Sequence, residues 1–284
     1  MSTSKVWIII PTFNRQEILL ECIADLKMQD YKNIQILVVD DSSSDNTLNI
    51  VHEKYPEIIT LSGDGHRWWS GAMNLGLGYV MSYAAESDFF ISFNDDVRVL
   101  PNYVSSLIEC GIKHKSPSLV GSLAVDSNNT SKVVFCGTKI NWKTGLWKGL
   151  TVPALLDGLE KIISDSLPGR GVLIPISAVK KIGFYDDKLF PQYFGDEDFA
   201  LRAKSAGWDL IVSTKGLVYS HVLLTGIGRN KLSLIVFLRS LFSIKSPNQL
   251  SRRCLFILRH CPLLYIPLFL GLDCIKVATS FWRS

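Results

Sequence analysis

Through its first hundred residues the chain alternates short apolar, β-branched runs with segments at helical spacing, and each run stops in polar residues. Val6–Ile10 is followed by Pro11-Thr12-Phe13-Asn14, and Gln16–Lys27 then carries Ile18, Leu19, Cys22, Ile23 and Leu26 on one helical face. Ile34–Val39 ends in Asp40-Asp41, after which Asp45 can cap a helix reaching about Tyr55. Ile58–Leu61, a helix over Gly71–Ala84, and Phe89–Phe93 complete the pattern. Repeated strand–helix units predict a parallel sheet with helices on both faces. Ligands of such sheets bind beyond the carboxyl ends of the strands. Pro11–Asn14, Asp40-Asp41 and Asn94–Asp96 all fall there, so three polar clusters are expected to converge on one crevice.

Asn94-Asp95-Asp96-Val97 directly follows the apolar run. Adjacent carboxylates at a buried strand end repel each other and lose hydration unless a cation or polar ligand compensates them. A divalent metal with oxygen ligands is a natural compensator, and Mg²⁺ commonly shares its shell with substrate phosphates. The plainer alternative is a solvated turn. Asp40-Asp41 has a similar pair of readings, a helix N-cap region or an acceptor for an N–H of a nucleotide base. In Gly63-Asp64-Gly65-His66-Arg67-Trp68-Trp69-Ser70, Arg67 and the start of the next helix favour a diphosphate, whereas His66 reads as a surface residue. The tryptophan pair, placed in a loop, either packs beneath that loop or stacks on a ligand.

Beyond Pro101 the pattern changes. Leu119–Val125, Lys132–Gly137 and Gly171–Ile176 read as strands, Ile140–Gly149 as a hairpin, Thr151–Pro168 as a loop, and Ser177–Ile182 and Phe199–Ser205 as helical. Gly169-Arg170-Gly171 lets backbone approach a ligand. Asp196-Glu197-Asp198 exceeds what helix capping requires, and such a cluster is expected to hold a base with a raised pKa. Arg202, one turn after Asp198, can neutralise that acid. His221, after a short apolar run, is a candidate metal ligand through neutral imidazole.

Charge is unevenly distributed. Residues 231–284 hold eight Lys or Arg and one acid, Asp273, which leaves 22 basic and 25 acidic residues in 1–230. The chain therefore divides into a slightly acidic body, 1–230, and a basic, apolar helical tail, 231–284. Within the tail, Cys261–Leu272 is apolar for twelve residues but falls short of the roughly 20 that span a bilayer. Its basic flanks Arg252, Arg253, Arg259 and Lys276, with Trp282 beside them, fit a helix lying in a membrane interface; docking on the catalytic body is the alternative. The six cysteines have neither zinc nor disulfide spacing, which fits a reducing compartment. Val6–Ile10 is too short for a signal peptide's apolar core, so a cytoplasmic protein, peripheral on the inner face of the cell membrane, is expected. Basic charge in the tail accompanies no nucleic-acid recognition motif, and no nucleic-acid partner is expected.

Pro11-Thr12-Phe13-Asn14-Arg15, Val38-Val39-Asp40-Asp41-Ser42-Ser43-Ser44-Asp45, Asn94-Asp95-Asp96-Val97 and Gly195-Asp196-Glu197-Asp198-Phe199-Ala200-Leu201-Arg202 together resemble the family 2 glycosyltransferases, inverting enzymes of the GT-A fold. The resemblance covers about residues 5–225. Trp68-Trp69-Ser70-Gly71-Ala72-Met73-Asn74 looks like the branch that builds bacterial surface polysaccharides, including rhamnosyltransferase-like members. It implies a Rossmann-like, mostly parallel sheet and transfer of a sugar from a nucleoside-diphosphate donor to a glycan or polyprenyl-linked glycan. Carried over by position, Pro11, Thr12 and Asp41 are expected to line the nucleotide pocket, with Asp40 beside them, and Asn94-Asp95-Asp96 to take the place of the family's Asp-x-Asp motif; Asn14, Arg15, Arg67 and Asn74 are further donor-side candidates, with Asn94 and Asp95. Asp96 and His221 are metal ligands for Mg²⁺ or Mn²⁺. Asp196 stands at the catalytic base, with Glu197 competing because the register is ambiguous by one. Trp69, Arg170, Asp198 and Arg202 are acceptor-side or supporting. Asn94 departs from the family's Asp-x-Asp motif at its first position. A non-catalytic nucleotide-sugar or glycan-binding protein of the same fold is the alternative function, separated by metal-dependent hydrolysis of a nucleotide sugar. A nucleotidyltransferase lacks its glycine-rich basic loop here, and a phosphatase its Asp-x-Asp after the first strand.

Overall fold

Val6 to Ile10 are almost completely buried, and their side chains alternate between two hydrophobic layers. This is how a strand covered on both faces reads. The computed structural model describes residues 4–151, 158–221 and 233–283. The division at residue 230 and the Trp282 side chain lie outside the described residues.

Strands are numbered along the chain. β1 (Val6–Thr12) pairs in parallel with β2 (Ile34–Asp40) and β4 (Phe89–Ser92), and β2 with β3 (Ile59–Ser62). β11 (Val172–Pro175) enters antiparallel between β4 and β6 (Ser118–Asp126), and β12 (Asp209–Ser220) runs parallel to β6. β10 (Lys161–Ile163) closes the path on the far edge of β12. β5 (Val97–Val99) and β7 (Asn129–Phe135) add antiparallel to β12 and β6. β8 (Thr138–Asn141) and β9 (Leu146–Gly149) form the expected hairpin outside the main sheet.

One face is covered by α1 (Gln16–Lys27) and α4 (Tyr103–His114), whose Leu19, Cys22, Ile23, Leu26 and Val104, Leu107 pack on the even residues of β1. The other is covered by α3 (Trp68–Tyr83), α5 (Ile176–Ile182) and α6 (Gly195–Ser205). Gly76 is what lets α3 lie flat on the sheet, since a Cβ there would stand 2.6 Å from Ile9 Cγ2. The remaining helices are α2 (Thr47–Lys54), after β2, and α7 (Leu234–Ser240), α8 (Leu250–His260) and α9 (Ile266–Arg283) in the tail. None of the described helices is long and apolar enough to cross a membrane.

Three local readings are corrected. The tryptophan pair belongs to the first turn of α3 rather than to a loop, because Asp41 accepts the Trp68 N–H and supplies the missing cap. β10 occupies part of the expected loop 151–168; three residues on a sheet edge carry too little periodicity to be seen in sequence. β5 follows Asp96 immediately, and Arg98 anchors it to Asp25 of α1 at 2.6 Å. The acidic segment is thereby held by strands on both sides.

Candidate active site

Beyond the carboxyl ends of β1, β2 and β4 opens a cavity of about 880 Å³. Its sheet side is built from Thr12, Arg15, Asp95 and Asp96. Thr12 Oγ1 donates to Asp95 Oδ2 at 2.8 Å, and Arg15 Nη1 donates to Asp95 Oδ1 at 2.9 Å and to Asp96 Oδ2 at 3.3 Å. Both acids are about 5% exposed or less. Burial holds the Asp95 carboxyl above its ordinary range, outweighing the attraction of Arg15. One guanidinium thus faces two carboxyls, and Asp96 Oδ1 is buried with no hydrogen-bond partner. A buried carboxylate oxygen left in that state is costly.

Pro11 and Asp41 continue the wall. Asp41 accepts from the N–H groups of Gly65 (2.9 Å) and Trp68 (3.1 Å), which wraps the Gly63–Gly65 segment around its carboxylate. A side chain at Gly63 would overlap Asp41 Oδ1. Asp40 and Asn14 do something different. Asp40 accepts from the Ser43 N–H and hydroxyl, and Asn14 Oδ1 accepts from the Ser44 N–H at 2.7 Å, so both shape the β2–α2 turn and neither lines the cavity. Arg67 pairs with Asp64 at 3.1 Å outside the cavity. Asn74 exchanges two hydrogen bonds with the Tyr185 backbone, fastening α3 to the segment before α6.

The opposite wall comes from the start of α6. A side chain at Gly195 would overlap Ser70 Oγ and the Phe190 carbonyl, so only glycine lets α6 meet α3 here. Asp196 accepts from Gly169 N–H at 2.6 Å and from Glu197 N–H at 3.0 Å. Burial raises the pKa of Asp196 even though these bonds and Arg170 favour its ionised form. Glu197 is pushed well above the carboxylate range by burial and then by the Asp196 charge. Of the two carboxyls, Asp196 is the one that accepts backbone N–H groups, which favour its ionised form. Trp69 joins the two walls. Its indole N–H donates to Asn94 Oδ1 at 3.1 Å, and its ring lies against Gly169. Asn94 at this motif position supports Trp69 and also lines the cavity. Arg170 lines the cavity with its Nε buried and unpartnered. Of the five non-glycine residues with positive φ among the described residues, Asn14, Ser42, Trp68 and Phe194 stand around this site, where strained backbone commonly gathers.

Asp198 and Arg202 lie behind this wall. Asp198 is fully buried and meets Arg202 Nε at 2.8 Å, His260 Nε2 at 2.8 Å and Arg259 Nε at 3.1 Å, which ties α6 to α8. His221 donates its backbone N–H to the Asp96 carbonyl at 3.4 Å, while its ring meets Ser127 Oγ at 3.2 Å and does not line the cavity. Among the described residues no three His, Cys, Asp or Glu side chains cluster as a ready metal shell.

The tail supplies what the sequence reading missed. Arg253, Phe256, Phe269, Asp273 and Lys276 roof the cavity. Arg253 chelates Asp273 through Nε (2.6 Å) and Nη2 and donates to the Pro247 carbonyl at 2.9 Å. Phe256 stacks against Trp147 of β9 and Phe269 against Trp142 beside it, at centroid distances of 5.0 and 4.9 Å. The inner faces of α8 and α9 are thus docked on the body, while Leu263 and Leu264 between them are more than 80% exposed. The one signal for this roof was Asp273, the lone acid in a basic tail.

Residues 7–136 match the family described as "Glycosyl transferase family 2". The chain carries a family 2 glycosyltransferase domain. It is 33% identical over 204 residues to the GalNAc(5)-diNAcBac-PP-undecaprenol beta-1,3-glucosyltransferase of Campylobacter jejuni, covering 66% of this chain and 64% of that one. It is 21% identical over 217 residues to the N-acetylglucosaminyl-diphospho-decaprenol L-rhamnosyltransferase of Mycobacterium tuberculosis, covering 70% of each. The chain spans 64% of the length of the first curated relatives it matches. Among solved structures, the mannosyltransferase PcManGT from Pyrobaculum calidifontis in complex with GDP-Man and Mn²⁺ superposes with a TM-score of 0.59 at 14% identity, covering 100% of this chain and 77% of that one. That likeness establishes the GT-A fold of the glycosyltransferase domain, with its central sheet flanked by helices.

Proposed function

We propose that this chain transfers a sugar, with inversion, from a nucleoside-diphosphate donor to a hydroxyl of a polyprenyl-linked glycan, in building a cell-surface polysaccharide of the O-antigen or capsule type. The observation that carries this reading is that Asp96, with an unpartnered buried oxygen, and Asp196, a buried acid with a raised pKa, line one cavity. The Campylobacter jejuni and Mycobacterium tuberculosis relatives, named for undecaprenol- and decaprenol-linked substrates, support the acceptor class.

The residues fit a divalent cation, Mg²⁺ or Mn²⁺. Asp96 Oδ1 has a free lone pair, and cations of this kind take one or two carboxylates and complete their shell with substrate phosphate and water. Asp96 would hold it through Oδ1, and the cation would supply positive charge for the departing diphosphate. Pro11, Thr12 and Asp41 face the nucleotide, and Trp69 closes the space between donor and base. Asp196 takes the proton of the acceptor hydroxyl while that oxygen bonds to the anomeric carbon; the bond to the diphosphate breaks on the opposite face, which inverts the centre. Arg170 holds Asp196 toward its ionised form. Asp196 is taken as the base over Glu197 because it accepts the Gly169 and Glu197 N–H groups.

We further place the catalytic body in 1–230 and assign 231–284 to the cytoplasmic membrane surface, where a polyprenyl-linked acceptor resides. Asp196→Asn is expected to lower transfer by about 10²–10⁴-fold while donor affinity, measured calorimetrically with Mn²⁺, stays within about twofold. A variant that loses donor binding instead, or retains transfer, removes Asp196 from this role.

A further inference from the structure

The tail roof carries more positive charge than its neighbours neutralise. Lys276 and Arg253 both face the cavity next to Glu197. Arg253 is engaged by Asp273, but Lys276 Nζ makes no ion pair or hydrogen bond among the described residues. Although the residue stays open to solvent, partial desolvation at the cavity mouth and the Arg253 charge both disfavour its ammonium. Glu197 gives little compensation, because burial and Asp196 hold it toward its protonated form. Two cations and one committed carboxylate make a site that an anion completes.

Its position indicates which anion. Phe269, Asp273 and Lys276 recur at helical spacing along the cavity side of α9. Leu268, Leu272 and Ile275 form the adjoining stripe and are 38–60% exposed. A cationic seat beside the base therefore adjoins an apolar strip that is open at Leu268 and Ile275, with Leu272 between them resting on the Gly145 turn. The metal-side acids Asp95 and Asp96, where the donor diphosphate is placed, belong to the sheet wall rather than to this roof.

We infer that Lys276, with Arg253, forms a diphosphate-binding subsite for the lipid-linked acceptor, distinct from the donor's diphosphate site, with the adjoining leucine strip receiving the first units of the isoprenoid chain. This assignment rests on the transfer reading for its biological ligand, but its test needs no turnover. The full chain is titrated with geranyl diphosphate and inorganic pyrophosphate in EDTA, and with UDP in the presence of Mn²⁺.

Geranyl diphosphate is expected to bind more tightly than pyrophosphate. Lys276→Gln is expected to weaken it by about tenfold or more, the loss of one charge-assisted hydrogen bond, Lys276→Arg to restore it, and UDP affinity to stay unchanged in both variants. Lys276 is exposed on a surface helix, so its replacement leaves the fold intact. Absence of geranyl diphosphate binding to the wild type, equal loss of UDP and geranyl diphosphate in Lys276→Gln, or loss only in Arg170→Gln each overturns the subsite. Failure of the transfer reading appears separately, as a chain that binds geranyl diphosphate and yet releases no nucleoside diphosphate from any sugar donor.

Discussion

Asp198→Asn tests whether the tail is structurally part of the active site. The wild-type carboxylate is 0% exposed and receives Arg202, Arg259 and His260. Asparagine preserves its shape but removes the charge, so the arginines lose a buried counter-ion. Breaking a buried pair by removing one member costs about 3–5 kcal/mol. The lower end applies here, because Arg202 also donates to the Ile182 and Phe184 carbonyls and Arg259 also pairs with Asp186. A loss of about 3 kcal/mol corresponds to a fall in Tm of roughly 6–12 °C for a chain near this size. The assay is thermal unfolding by circular dichroism, with limited proteolysis to follow release of α8. Arg259→Gln on top of Asp198→Asn is expected to change Tm by less than Arg259→Gln does in the wild type, because the Arg259–Asp198 pair is already gone and only the Asp186 pair is left to lose. A Tm within about 2 °C of wild type, with α8 still protected, would refute the claim that this acid holds the tail.

Acid activity and acid stability are expected to run in opposite directions. Transfer should fall about tenfold per pH unit as pH drops through the raised pKa of Asp196, because the base must be ionised; a rate that is flat down to the ordinary carboxylate range contradicts it. Folding, in contrast, favours the protonated forms of Asp196 and Glu197. Their contribution to stability is full below the unfolded-state pKa and is lost as pH rises through the folded one. Glu197→Gln should therefore raise Tm, by more at pH 8 than at pH 5, and an equal or lower Tm at pH 8 counts against a buried, protonation-prone Glu197. Gly195→Ala should displace the start of α6 from Ser70 and Phe190, and a loss of transfer of at least about tenfold with a cooperative melt is expected; wild-type kinetics would show the contact to be dispensable.

The strand–helix alternation, the sites at strand ends and the pairing of Asp95 with Asp96 were legible in the chain itself, because they follow from local periodicity and from charges adjacent in sequence. Residue type did not distinguish Asp41 from Asp40. One ends β2 and the other follows it, yet Asp41 lines the cavity and Asp40 folds a turn, which depends on where the Gly63–Gly65 segment passes. Asn94, at a motif position expected to touch the donor, supports Trp69 from another element.

The tail shows the division most clearly. Its basic charge and its apolar runs, too short to span a bilayer, are written in 231–284, but its role in roofing the site comes from partners far along the chain: Asp198 for Arg259, and Trp142 and Trp147 for Phe269 and Phe256. Local sequence determines which segments become strands and helices and where their polar ends lie, since backbone propensity and apolar spacing act over a few residues. Which of those polar ends share a cavity, and which charges stand there without a counter-ion, is decided only when helices distant in sequence pack together and exclude water between them.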